Sequence, residues 1–396
     1  MEKTVDVLTE HLVDPIKIVI SSRLLLERLK AVSFCVGRDR NSPILQCIKI
    51  DVTIDCVTVT TSDLFNTATT ELVAESNGSI STCVQFDLIF KLLTTLPDQM
   101  LTFLIDPQTR KLFIEAESGV YECPGHDPAD WPTPSPMDHY TSVELRADIL
   151  CRALGEVLTF VSIDDIRPVL GGIFLEFESS ELLICASDTQ ALGLRKISFF
   201  NGMAGSSKNA KHQLIISAKV AKALAGIHKD NADKAVSLSF NSSFIYFTGL
   251  PNGISILSQL IDGRYPAFLN SIPTQNPYRL TVNRSAFLLA LNRIEPFANT
   301  GTRRVRLQLA SEGCVIFAED LDNSKQAREQ IAANYIGNKL SISFSLSRLQ
   351  HSLESFNGSE IRLELSALNR AGVVRDASAH EEDANLVLVM PFSSVE

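Results

Sequence analysis

Eight cysteines occur in 396 residues, yet none forms a Cys-x-x-Cys pair. Cys35, Cys47, Cys56, Cys83, Cys123, Cys151, Cys185 and Cys314 mostly lie within apolar, strand-like runs, and the seven histidines are scattered without ligand spacing. The pattern argues against a zinc site or a disulfide framework and for small, reduced core residues of a cytoplasmic protein. No metal and no cofactor are expected. The chain also lacks a G-x-S-x-G nucleophile turn, a phosphate-binding P-loop and a G-x-G-x-x-G opening a helix. Gly202–Ser207 (GMAGSS) has the wrong spacing, and the neighbouring carboxylates Asp164 and Asp165 have no third acidic or histidine partner, so they read as a loop or helix cap. No apolar run approaches the roughly 18 residues that would cross a membrane. The N-terminal residues carry acidic side chains and no hydrophobic core, unlike a secretory signal.

What the chain does have is an internal repeat. Ile166–Leu194 reads as a Pro-Val-Leu-Gly-Gly lead, two alternating strands and an Ala-Ser-Asp-Thr-Gln turn; Ser42–Leu64 and Arg304–Leu321 are further versions of it. The acidic residue of each turn, Asp63, Asp188 or Asp320, is expected to hold the turn by bonding to its own backbone. A wider unit surrounds each copy: a short strand, a helix, then alternating strands. The helices are predicted at Ser22–Ser33, Phe86–Thr95, Arg146–Leu158, Ala218–Lys229, Arg284–Glu295 and Ser347–Phe356. A duplicated β-α-β-β-β unit used six times gives an α+β protein with helices covering one face of half-buried sheets. Proline-rich and turn-rich breaks near residue 137 and at Asp262–Pro273 divide the chain into a polar extension (1–15) and three repeats, 16–137, 138–273 and 274–396. Phe200–Lys211 reads as a flexible loop.

The net charge of −10 argues against a surface that binds nucleic acid everywhere. The basic residues, however, favour the predicted helices. Histidine apart, the first carries +2, the fourth +3, the fifth +1 and the others zero. If those helices share a face, it is basic on an acidic body and suits contact with phosphates without base reading. No aromatic platform is interleaved with the basic residues, which argues against tight single-strand binding.

At Arg167–Gly172 (RPVLGG), Ala186–Leu192 (ASDTQAL), Leu260–Pro266 (LIDGRYP) and Val389–Phe392 (VMPF) the chain resembles the β subunit of bacterial DNA polymerase III, the sliding clamp family. The resemblance implies a non-catalytic three-domain DNA clamp, two chains closing head to tail into a homodimeric ring with helices lining the hole and sheets outside. It implies a processivity factor that encircles double-stranded DNA without sequence specificity. A groove between the second and third domains would bind Gln-Leu-x-Leu-Phe-like peptides of the polymerase, the clamp loader and other replication and repair proteins. By the motif match that groove involves Leu170, Ser187, Thr189, Gln190, Leu192, Pro266, Ser271, Leu388, Met390, Pro391 and Phe392. The DNA-facing set would be Arg23, Arg28, Arg38, Arg40, Arg146, Arg152, Arg167, Lys219, Lys222 and Arg284, and the dimer interface Tyr121, Ile294 and Phe297. There are departures. The family's usual Thr-Asp-Gly-His-Arg-Leu turn is here Ser187–Leu192 (SDTQAL), Pro296 is unexpected, and Asp164, Pro168 and Val169 replace DNA-touching residues. The alternative from another class is a diverged clamp-like scaffold that binds proteins but no longer loads on DNA; a hydrolase on a repeated scaffold lacks its nucleophile motif.

Overall fold

A computed structural model describes Leu12 and residues 14–39, 41–133, 138–164, 166–178, 180–205, 211–227, 234–380 and 384–392. The expected boundary at residue 137, most of the 1–15 extension, Arg40, Asp165 and Lys229 lie outside the described residues. Six strand-to-helix junctions recur. Ile16–Ser21 runs directly into α1 (Ser22–Val32), Ile80–Gln85 into α2 (Phe86–Thr95), and Thr141–Arg146 into α3 (Ala147–Leu158). Lys211–Ser217 leads into α4 (Ala218–Gly226), Tyr278–Asn283 into α5 (Arg284–Ile294), and Leu340–Ser345 into α6 (Leu346–Glu354). With no loop to spare, the last strand residue often caps the helix. Ser21 Oγ accepts from the Leu24 amide at 3.4 Å, Ser217 Oγ from Val220 at 3.3 Å and Asn283 Oδ1 from Ala286 at 2.9 Å.

Three strands follow each helix, and the register shows how the halves interlock. The strand before a helix always pairs with the first strand after the other helix of its repeat. Ile16–Ser21 pairs with Met100–Ile105, and Ile80–Gln85 with Cys47–Val52. The same exchange joins Thr141–Arg146 to Ala235–Phe240 and Lys211–Ser217 to Gly172–Glu178. It also joins Tyr278–Asn283 to Glu360–Leu365 and Leu340–Ser345 to Arg304–Ala310. Neither half of a repeat can therefore complete a sheet alone.

The chain forms two compact units, one of residues 1–148, 200–208 and 226–260, the other of 149–199, 209–225 and 261–396. The first unit holds a four-stranded and a ten-stranded antiparallel sheet. Its core is built from inward strand residues such as Ile18, Ile50, Val59 and Phe103 closing on Leu25 and Leu29 of α1 and Ile89 and Leu93 of α2. Each such side chain contributes about 1.5–3 kcal/mol by burial. The second unit holds a nine-stranded and a four-stranded sheet.

Several elements differ from expectation. Phe200–Ala204, read as loop, is a strand added to the edge of Thr141–Arg146. The strands Lys325–Ile331 and Gly372–Asp376 had no counterpart in the sequence reading. Lys325–Ile331 (KQAREQI) is exposed on the face of Gln326, Arg328 and Gln330, and its half-buried face carries Lys325 and Glu329 beside Ala327 and Ile331, so it has little apolar alternation to detect. Pro296, the unexpected proline, opens a 3₁₀ turn at Glu295–Phe297, where a missing amide costs nothing. Among the described residues, no helix is long and apolar enough to cross a membrane.

Candidate functional site

The turn that ends the strand Glu181–Ser187 is held as its sequence suggests. Asp188 Oδ1 accepts from the amides of Gln190 and Ala191 at 2.9 and 2.6 Å, as Asp63 Oδ1 does from Phe65 and Asn66 at 3.1 and 2.7 Å. In the third copy Asp320 keeps a bond from the Asn323 backbone and adds the side-chain amides of Asn323 and Asn299, which together hold its carboxyl below the usual range. Thr189 sits at φ 74° and Leu64, its equivalent, at φ 76°, left-handed backbone that β-branched or bulky residues rarely adopt.

Beyond this turn Ala191–Ser198 pairs with Leu386–Val389, and the Met390 amide donates to Gln190 O at 2.8 Å. The two strand ends form one wall of a cavity of about 720 Å³. Leu170, Ser187, Thr189, Gln190, Leu192, Pro266, Ser271, Leu388 and Met390 all line it. Leu170, Leu192 and Leu388 belong to the buried cluster beneath it, so these positions are both core and cavity floor.

Pro391 and Phe392 do not line it. After Met390 the chain leaves the turn and joins Leu340–Ser345: Pro391 bridges to Phe344, and the Phe392 amide donates to Ser343 O at 2.8 Å. The Phe392 ring lies 5.8 Å from the Arg304 guanidinium.

The sequence reading found Pro266 and Ser271 but missed the aromatic residues beside them. The segment Asp262–Pro273, taken as a linker, supplies Tyr265, Phe268 and Ile272. Phe174, Tyr265 and Phe268 form a ring cluster, with centroids 5.0 Å apart for Phe174 and Tyr265 and 5.7 Å for Phe174 and Phe268. Aromatic residues concentrated in a supposed linker were the available signal. Arg167 and the turn Asn369–Ala371 complete the rim.

The proposed DNA-facing residues divide into two groups. Arg23, Arg38, Arg152, Arg167, Lys219 and Lys222 are exposed, Arg23 in an ion pair with Glu27 at 3.3 Å. Arg146 is held by both Asp148 carboxylate oxygens at 3.0 Å, and Arg284 Nε donates to Gly358 O at 2.9 Å. Burial of Arg28 lowers its pKa and leaves its Nε without a hydrogen-bond partner. These three are partly engaged with their own chain. Of the residues assigned to a dimer interface, Phe297 is exposed and Tyr121 half-buried on the strand Gly119–Cys123. Ile294 is buried in its own unit at 2% exposure, so it has no surface to offer a partner.

The fold agrees with what the chain is similar to. Residues 144–267 match the central domain of the DNA polymerase III beta subunit, and residues 270–392 match its C-terminal domain. The beta sliding clamp of Bacillus subtilis (strain 168) is 26% identical over 388 residues, 95% of this chain and 99% of that protein. That of Pseudomonas putida is 26% identical over 381 residues, 94% and 98% of the respective chains. A crystal structure of the Bacillus subtilis DNA polymerase sliding clamp aligns with TM-score 0.87 at 23% identity, covering 96% of this chain and all of that one. The Thermotoga maritima DNA polymerase III beta subunit aligns with TM-score 0.84 at 18% identity, with the same coverage. The chain belongs to the family of the bacterial DNA polymerase III beta subunit, the beta sliding clamps. It has the three-domain clamp fold and is a non-catalytic DNA sliding clamp.

Proposed function

We propose that two copies of this chain close head to tail into a ring around duplex DNA and tether a polymerase and other replication proteins through the groove at Leu170, Leu388 and Met390. The three repeats 16–137, 138–273 and 274–396 are the domains of that ring, with helices inward and sheets outward. The observation that carries the closure is the strand bookkeeping of the four sheets. Six four-stranded sets exist, and each ends in the third strand after a helix. Four of those terminal strands are paired inside the chain, Ile254–Gln259 with Asn66–Val73 and Ala191–Ser198 with Leu386–Val389. The remaining two, Gly119–Cys123 and Lys325–Ile331, are the outer strands of the two four-stranded sheets. Antiparallel pairing of one copy's Gly119–Cys123 with another's Lys325–Ile331 would repeat the two internal joins. Such unlike surfaces close a ring when the rotation fits. It would also remove two open edges that favour uncontrolled association.

A topological link needs little chemical grip, which fits the mixed picture at the basic residues. Exposed Arg38 and Lys222 can neutralise phosphates, whereas Arg146 and Arg284 are occupied by their own chain. Tethering then acts by raising the polymerase's effective concentration at the template. The test is retention on nicked circular DNA, lost when the circle is linearised, by a species with the mass of a dimer. A monomer at micromolar concentration would defeat the ring; equal retention on both DNA forms would leave a scaffold.

A further inference from the structure

The chain enters its second and third repeats in the same way. An aromatic residue stands ten positions before the opening strand, Trp131 before Thr141 and Phe268 before Tyr278. Each packs at a matching place. Trp131 clusters with Cys47 and Cys83, and Phe268 with Ile215 and, at 5.7 Å between ring centroids, with Phe174. The register makes the places equivalent: Cys47 pairs with Gln85 and Lys49 with Cys83, as Gly172 pairs with Ser217 and Phe174 with Ile215. An entering segment is thus held by burying one ring on this strand pair.

The third repeat has the same strand pair with a different surface. Arg304 pairs with Ser345 and Arg306 with Ser343, which puts Arg304, Arg306 and Ser343 where the second repeat has Gly172, Phe174 and Ile215. A cavity of about 280 Å³ lies there, lined by Thr302, both arginines, Phe317 and the exposed Leu321 among others. Arg304 has no carboxylate partner among the described residues. Its Nε is buried without a hydrogen bond, and its guanidinium lies 5.8 Å from the Phe392 ring. Two carboxylates at the cavity are already engaged, Glu319 with Arg306 at 3.5 Å and Asp322 with the Asn299 side-chain amide at 3.3 Å.

In the proposed ring, the segment that enters after the third repeat is the other copy's approach to Ile16. Ten positions before that strand stands Asp6, in a stretch that carries Glu2, Asp6, Glu10 and Asp14 against the single lysine Lys3. A carboxylate replaces the aromatic side chain where arginines replace the surface that receives it. We propose that residues 1–15 of one copy dock on the third repeat of the other, with Asp6 held by Arg304 and Arg306 and the flanking Val5, Val7 and Leu8 against Leu321. This rests on the head-to-tail ring. Guanidinium and carboxylate groups form paired, charge-assisted hydrogen bonds, which give the contact direction as well as strength. The surface is open to water, so the contact tunes ring closure and weakens with salt.

The test uses the full-length chain. The dimer dissociation constant is measured by subunit exchange between two fluorescently labelled pools. Asp6→Lys combined with Glu10→Lys should raise it about tenfold at low salt and by less than about twofold at high salt. Arg304→Glu combined with Arg306→Glu should do the same, and joining the two sets in one chain should bring the constant back to within about threefold of the original. Benzoylphenylalanine in place of Leu8 should photo-cross-link to the stretch 302–321 in a species with the mass of two chains. A dimer that none of these substitutions weakens overturns the docking and leaves the ring standing. So does an arginine variant that the reversed extension fails to rescue, or a cross-link found only within single chains. A full-length protein that is monomeric at micromolar concentration removes the ring and this proposal with it.

Discussion

The pairing of Ile254–Gln259 with Asn66–Val73 and that of Ala191–Ser198 with Leu386–Val389 run antiparallel over four residue pairs each, at equivalent places in the repeat. The first is closed by small polar groups. Ser258 Oγ donates to Asn66 Oδ1 at 2.8 Å, both residues buried, and Thr70 Oγ1 donates to Asn252 O at 3.2 Å. The second is closed by apolar packing and one buried cation. Arg195 bonds Glu156 at 2.6 Å, Ser355 O at 2.6 Å and Leu386 O at 3.3 Å, and its guanidinium lies 4.7 Å from the Phe356 ring centroid. Backbone register is therefore what the repeat copies, while the side chains at the strand ends are free to diverge. At the second pairing they diverged into a groove. At the first, Leu64 and Phe65, the counterparts of Thr189 and Gln190, are exposed.

The largest way to break this comparison is at the cation. Arg195→Met keeps most of the volume but leaves the Glu156 carboxylate and three backbone carbonyls, those of Leu194, Ser355 and Leu386, short of a donor, a loss of about 3 kcal/mol. In urea the unit containing Arg195 should unfold in an earlier, separate transition followed by far-UV circular dichroism; an unchanged single transition would mean that the cation is not what closes this pairing. Ser258→Ala, at the first pairing, leaves Asn66 Oδ1 without its donor and should cost about 1–2 kcal/mol in the other unit. If both substitutions cost the same, the contrast between a polar and a cationic closure loses its energetic content.

Next in size is a contrast in binding. Met390→Ala removes a flexible apolar wall of the groove and should weaken a Leu-x-Leu-Phe peptide about tenfold, measured by polarisation. Phe65→Ser, at the equivalent end of the other pairing, should leave that affinity unchanged. A loss with Phe65→Ser would mean that both strand ends bind peptide. Unchanged affinity with Met390→Ala would remove the groove assignment.

How much of this was legible in the sequence depended on which interaction carried it. The six helices and most of the strands following them were readable because amphipathic period is local and apolar. Lys325–Ile331 was not, because a terminal strand with polar residues on both faces has no period for hydrophobicity to mark. In the groove, the motif residues from Leu170 to Met390 were found, but Tyr265, Phe268 and Arg370 reach it only through the path of a supposed linker and a turn. Phe392 was misplaced for the same kind of reason. Contiguity with Met390 suggested a shared site, whereas the backbone changes sheets between them, at Pro391. The partial engagement of Arg146 and Arg284 depends on distances to Asp148 and Gly358 that spacing alone does not give.

The smallest effect isolates backbone from binding at a single residue. Thr189 and Leu64 share a left-handed conformation at φ 74° and 76°, each fixed by the preceding aspartate. Asparagine tolerates this region, so Thr189→Asn and Leu64→Asn should each stabilise the protein by up to about 1 kcal/mol, visible as a small rise in unfolding midpoint. Glycine at either place gains less, because relief of strain is offset by greater freedom in the unfolded chain. The two asparagine variants should therefore match in stability and differ in peptide affinity, since only Thr189 lines the cavity. If Thr189→Asn leaves affinity unchanged as well, the turn serves the groove only as a support for Gln190 and Met390. If Leu64→Asn fails to stabilise while Thr189→Asn succeeds, the shared φ is not what burdens the two turns, and the comparison must then be drawn from their side-chain surroundings instead.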